Sequence, residues 1–416
     1  MAHRTSRNGY ENLVERLNEF PQGATPSDTL YQILKMLFSE KEAELVSKLP
    51  IRPFTIKRAQ KAWDLNQKEA REILDELASR AILLDVEKDG EHVYILPPPM
   101  AGFFEFSMMR LRGDIDQKVL ADLFYQYMNQ EEDFIKDLFT EGETQLGRVF
   151  VNESVLTNDH ALYVLDYERA SEVIKNASHI GVGLCYCRHK MEHKGQACDA
   201  PMDICMTFNN VAESLIKNDY AREVDAAECL ELLDKAREHN LVQFGENVQN
   251  EVSFICNCCS CCCEAMIAAQ KFGMLEPIHT TNFLPEINET NCVGCEECIE
   301  VCAVDALTLE DDVAHLNEDI CLGCGNCKQV CPANSISLKR REERVITPVD
   351  SVHKTVMMAI ERGQLQNLIF DNQALKSHRI MAAILGAIIK LPPLKQILAQ
   401  EQIKSKYLGN LINKFN

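Results

Sequence analysis

Two stretches of this chain place cysteines at the spacing C-x2-C-x2-C-x3-C. CVGCEECIEVC carries Cys292, Cys295, Cys298 and Cys302, and CLGCGNCKQVCP carries Cys321, Cys324, Cys327 and Cys331, followed by Pro332. Thiolates are soft ligands, and three so closely spaced can wrap one cubane of iron and inorganic sulfide. The fourth, leaving on a helix, reaches the neighbouring cubane. The spacing therefore predicts one 4Fe-4S cluster on Cys292, Cys295, Cys298 and Cys331. It predicts a second on Cys302, Cys321, Cys324 and Cys327. Zinc sites usually use two separated C-x2-C pairs rather than a run of four. Gly294, Gly323 and Gly325 let the backbone curl around such a group and aim amides at its sulfurs.

A second set is less regular. LCYCRHKMEHKGQACDAPMDIC supplies Cys185, Cys187, Cys198 and Cys205, and CNCCSCCC supplies Cys256, Cys258, Cys259, Cys261, Cys262 and Cys263. Neighbouring cysteines seldom reach disulfide geometry, so crowding of this kind points to metal. The ten are expected to ligate additional clusters or zinc, giving at least two clusters in the chain and three or four if this set is filled. Residues alternate faces along a strand, so adjacent cysteines in the run are expected to serve two sites or to leave some thiols free. Arg188, His189, Lys190, His193 and Lys194 lie beside the first pair and are expected to offset thiolate charge. Cys229, in DAAECLELLDKA, reads as a buried structural cysteine.

These motifs sit in a chain of 416 residues with 19 cysteines and a formal net charge of -20. Such a charge disfavours general nucleic-acid binding. The N-terminal sequence has no apolar signal-like core, and the most aliphatic run, IMAAILGAII at 380–389, is too short to span a bilayer. A cytoplasmic location is expected, where thiols stay reduced and serve metals rather than disulfides. Residues 286–320 contain eleven Asp or Glu and no Lys or Arg, a surface on which a basic redox partner could dock. From Lys376 to Asn416 the trend reverses, with seven Lys or Arg against Glu401 among Ile, Leu and Ala. That segment suits peripheral contact with an anionic membrane, or a hairpin packed on the acidic body, which is the preferred expectation.

The elements that must position the cysteines give an α+β multidomain chain. A polar lead-in, 1–28, precedes helix, helix-turn-helix and hairpin patterns over 29–100, an order that resembles a winged-helix domain. Its candidate recognition helix, 66–80, is net acidic, so protein docking or dimerisation is preferred over DNA binding. Linking helices are predicted over 101–148, the main one at 114–139, and a central α/β cysteine-rich domain over 149–285. Within it GRVFVNES, HIGVGLCYCR and VSFIC read as strands, and YERASEVIKNA as a helix capped by Asp166. A two-cluster module at 286–340 and a helical region at 341–416 complete the chain.

The module at 286–340 resembles the bacterial two-cluster ferredoxin family through its eight cysteines, with Ala303 standing where that pattern usually has proline. With GLCYCRHKMEHKGQACDAPMDIC, FICNCCSCCC and ERGQLQNLIFDNQ, the whole chain resembles a group of uncharacterised prokaryotic 4Fe-4S dicluster-domain proteins. The resemblance implies cytoplasmic electron transfer in anaerobic metabolism, as a component of an oxidoreductase system. Two other classes fit the residues: an oxidoreductase with a catalytic metal or thiol centre built by Cys185–Cys205 and Cys256–Cys263, and a redox-responsive winged-helix regulator. No G-x-G-x-x-G or Walker motif is present, so hydride or ATP chemistry would come from a partner.

Overall fold

The computed structural model describes residues 8–370 apart from 89, 141, 273–279 and 343–346. The basic segment 376–416, expected to pack as a hairpin on the acidic body or to touch a membrane, lies outside the described residues.

Five helices open the chain: α1 (Gly9–Leu17), α2 (Asp28–Leu37), α3 (Glu40–Val46), α4 (Ile56–Trp63) and α5 (Gln67–Ser79). Ser27, Ser39 and Asn66 begin α2, α3 and α5 by accepting a hydrogen bond from a backbone N–H three residues on. The buried face of α5 is Ala70, Leu74, Leu77 and Ala78. An antiparallel hairpin follows, β1 (Leu84–Lys88) with β2 (Glu91–Ile95), and Phe54 bridges to Tyr94 at its edge.

The hairpin is anchored within the chain. Buried Asp85 accepts hydrogen bonds from Ser214 Oγ at 2.8 Å and Asn218 Nδ2 at 2.9 Å, and pairs with Lys217. After α6 (Phe104–Phe106), the predicted linking helix is two helices, α7 (Gln117–Tyr125) and α8 (Asp133–Thr140). A wide turn over Gln126–Gln130 and a left-handed Glu132, φ +64°, separate them.

The central region runs β3 (Gly147–Val149), α9 (Asn158–Ala161), α10 (Ala170–Asn176), β4 (Ile180–Leu184), α11 (Tyr186–His193), β5 (Asp203–Phe208), α12 (Asn209–Lys217), β6 (Arg222–Glu223), α13 (Ala226–Glu238), β7 (Val242–Glu246), β8 (Phe254–Cys258) and α14 (Glu264–Phe272). Its six strands are ordered β3-β7-β8-β5-β4-β6 and every neighbouring pair is antiparallel. The central sheet is therefore antiparallel and the region α+β, a correction to the α/β expectation. Strands separated by helices look parallel in sequence, but pairing and direction are set by the core. Asp166 also differs from its predicted role: it opens a short 3-10 turn, and α10 starts after Arg169 with no side-chain cap.

The last described part contains β9 (Phe283–Ile287), α15 (Glu297–Glu300), β10 (Leu307–Glu310), β11 (Val313–Leu316), α16 (Asn326–Val330) and β12 (Ile336–Arg340), then α17 (Ser351–Glu361) and α18 (Leu365–Ile369). Pairing of β9 with β12 closes the cysteine module on itself, and β10–β11 forms the hairpin between its halves. Helix α17 is locked to β7 by a buried ion pair, Lys354 Nζ to Glu246 Oε1 at 2.6 Å, with Ser351 and Ser253 also donating to Glu246. Among the described residues no helix is long and apolar enough to cross a membrane.

Candidate metal centres

The eight regularly spaced cysteines divide four and four. Cys292, Cys295, Cys298 and Cys331 line one pocket. Cys302, Cys321, Cys324 and Cys327 line another. Each fourth cysteine has crossed to the opposite half because α15 and α16 carry the last thiol of each run away from its own loop. Backbone amides already point at sulfur: Ala306 N–H donates to Cys302 Sγ at 3.2 Å and Gly323 N–H to Cys321 Sγ at 3.4 Å. Donor type, number and amide support all fit a cubane. Ala303, in place of proline, is buried, and its carbonyl accepts from Gln270 Nε2 at 3.0 Å.

The two quartets have different surroundings. Cys295 is exposed, and the loop around it carries exposed Val293 and Glu296. The second quartet faces the central domain. Cys324 O accepts from Asn152 N at 2.8 Å, Asn326 Nδ2 donates to Asn240 O at 2.8 Å, and Lys328 Nζ donates to Val155 O at 2.7 Å. Burial pushes the Cys321 thiol up to about 11 and Cys324 up to about 12.

The other ten cysteines separate into two sites. Six form a continuous chain of thiol contacts, Cys185 to Cys205, Cys205 to Cys256, Cys256 to Cys258, Cys258 to Cys263, and Cys263 to Cys187. Cys256 and Cys258 are two residues apart on β8 and share a face, while Asn257 points away to donate to Ile204 O. Cys185 immediately precedes α11 and Cys263 immediately precedes α14, so two helix N-termini converge on the chamber. Hydrogen bonds from Cys205 and Cys258 hold the Cys256 thiol down to about 6. Cys263 is held well below its usual range by Cys187 and Cys258, aided by the amides of Met266 and Ala265. The remaining four, Cys198, Cys259, Cys261 and Cys262, gather at the turn between β8 and α14.

Of the cations expected to face the thiols, only Arg188 does so. Its guanidinium is fully buried and lies 3.5 Å from Cys259 Sγ. Lys190 is equally buried but spends its charge on Glu264 and Asn129, Asn129 Nδ2 in turn donating to Glu264 Oε2 at 2.7 Å. The His189 ring hydrogen-bonds Met108 O, and Lys194 pairs with Asp122. The buried Lys190–Glu264 pair was not foreseeable from local sequence, since its members lie 74 residues apart. Cys229 is fully buried among apolar side chains of the central core.

Fold and thiol sets together define an iron–sulfur protein. Residues 285–338 match the family model of the 4Fe-4S dicluster domain, and the chain carries at least two such clusters. No curated protein matches the chain.

Proposed function

We propose that this protein is an electron-transfer component of an oxidoreductase system, with Cys292, Cys295, Cys298 and Cys331 holding one 4Fe-4S cluster and Cys302, Cys321, Cys324 and Cys327 the second. The observation that carries this reading is the division of the eight cysteines between two cavities, each quartet combining three thiols from one loop with one from the other. Each cluster supplies one-electron uptake and release. The chain's residues give that chemistry a direction. All eleven acidic residues of 286–320, the segment that carries exposed Cys295, are exposed, a surface that would steer a cationic redox partner. Towards the interior, Cys321 shares one apolar core with Cys258 and Cys263 of the six-thiol chamber, and Cys187, Cys256, Cys302 and Cys324 pack against the same core. An electron passing inward from the second quartet would thus travel through packed protein rather than water, in a reducing cytoplasmic setting.

Electron paramagnetic resonance during an anaerobic potentiometric titration tests the assignment. The wild type is expected to give two interacting one-electron centres, and Cys324→Ser to disturb only one of them. Loss of neither signal, or of a centre unrelated to these quartets, would refute it.

A second reading is an oxidoreductase with its catalytic centre in the chamber. What favours it is the count: six thiols meet there, whereas a cubane needs four. A change in the chamber's spectrum on adding a small oxidant, with the ferredoxin signals unmoved, would support it. The regulator reading has no comparable support. Arg80 of the candidate recognition helix pairs with Glu42 and Glu76, Lys68 faces Glu72, and the hairpin is tied to α12 through Asp85.

A further inference from the structure

Cys198, Cys259, Cys261 and Cys262 place their sulfurs within 4.8 Å of one another, and Cys261 and Cys262 Sγ stand 3.6 Å apart. A tetrahedral ion with metal–sulfur bonds of about 2.3 Å needs sulfur–sulfur edges of about 3.8 Å. In a cubane, by contrast, each thiolate binds a different iron corner, so the four sulfurs must spread around the whole cluster. The same chain supplies the comparison. Among the described residues this is the one cysteine group drawn in to such a spacing, and neither ferredoxin quartet is. From this contraction we infer that Cys198, Cys259, Cys261 and Cys262 bind a single thiophilic divalent ion, zinc or ferrous iron, separate from every cluster.

The surroundings suit a tetrathiolate, which carries two excess negative charges on a divalent ion. Buried Arg188 interacts with both Cys259 and Cys198, and the Cys198 backbone N–H donates to Cys262. The ion staples the loop after α11 to the turn between β8 and α14. That turn also carries the thiols of the other site: Cys258 precedes Cys259, and Cys263 follows Cys262. Holding Cys259 and Cys262 on one ion therefore fixes the directions in which Cys258 and Cys263 point into the six-thiol chamber. The ion is structural; it stands whether or not the chamber relays electrons.

Metal and acid-labile sulfide analysis of the anaerobically purified full chain, with Cys198→Ser and Cys261→Ala beside it, tests the site. The expected result is one ion per chain beyond the sulfide-matched iron. Zinc in the metal assay identifies one occupant; iron exceeding sulfide, with a high-spin ferric signal on oxidation, identifies the other. Both variants lose that ion and keep the ferredoxin signals. A variant that fails to fold leaves the wild type grown in cobalt, where tetrahedral thiolate–cobalt absorption bands are expected. Overturning results are a loss of iron and sulfide in equal numbers with no sulfide-free ion lost beside them, the absence of cobalt bands, or a disulfide within the quartet in place of metal.

Discussion

Gly323→Ala should damage the second cluster site far more than Gly325→Ala, although the two residues belong to the same loop. Gly323 has φ +71°, and a Cβ there would stand 2.1 Å from Phe283 O and 2.3 Å from Thr281 Oγ1. The left-handed backbone alone costs an L-residue roughly 1–2 kcal/mol. Relieving the overlap means separating the loop from Thr281 and β9. Two hydrogen bonds are at stake, Thr281 Oγ1 donating to Gly323 O at 2.7 Å and Thr281 N–H donating to Leu322 O at 3.0 Å. At about 1 kcal/mol each, their loss brings the total to roughly 3–4 kcal/mol. Gly325 has φ +89°, but its added Cβ crowds no backbone atom; its one tight contact is Val155 Cγ2 at 2.9 Å, a side chain that can turn aside. Its substitution should cost only the backbone strain of roughly 1–2 kcal/mol. Anaerobic urea unfolding followed by visible absorbance, with sulfide analysis of the folded fraction, reads the difference. Equal stability and equal sulfide in the two variants would refute the argument that this loop is positioned by close contact with Thr281 and Phe283.

Lys354→Met should destabilise the chain by about 3–5 kcal/mol, because it leaves the Glu246 carboxylate buried without its cation. Urea unfolding measures this, and Lys354→Met paired with Glu246→Gln should recover part of the loss. Burial pushes the Glu105 carboxyl up to about 7, even though Ala101 and Gly102 N–H groups donate to it. The folded chain then holds that proton more tightly than the unfolded chain. Its contribution to stability is present below about pH 4.5 and is lost as pH rises through about 7, by roughly 3 kcal/mol in all. Glu105→Gln should flatten that part of the stability profile, and an unchanged slope would count against the burial of its charge.

The ferredoxin pair was legible in the sequence because its ligands lie within one turn of each other and the spacing encodes the crossing of the fourth thiol. Cys256 and Cys258 could be paired by strand alternation once VSFIC was read as a strand. Their partners could not, because Cys185, Cys187 and Cys205 arrive from β4, α11 and β5 through a strand order that no local pattern reveals. Sheet direction was hidden for the same reason: Met206 pairs with Ile255 across 49 residues. The roles of Arg188 and Lys190 separated only in three dimensions. They are two residues apart on α11, yet one meets sulfur and the other meets Glu264.

Iron and acid-labile sulfide determination on an oxygen-free preparation, read with the low-temperature resonance spectrum of the reduced protein, bears most directly on electron relay. The two quartets predict about eight irons and eight sulfides at four per cubane, rising towards twelve with the chamber filled, and a spectrum broadened by coupling between neighbouring reduced centres. A colourless protein holding zinc in these quartets, with no sulfide and no signal on reduction, would contradict the account.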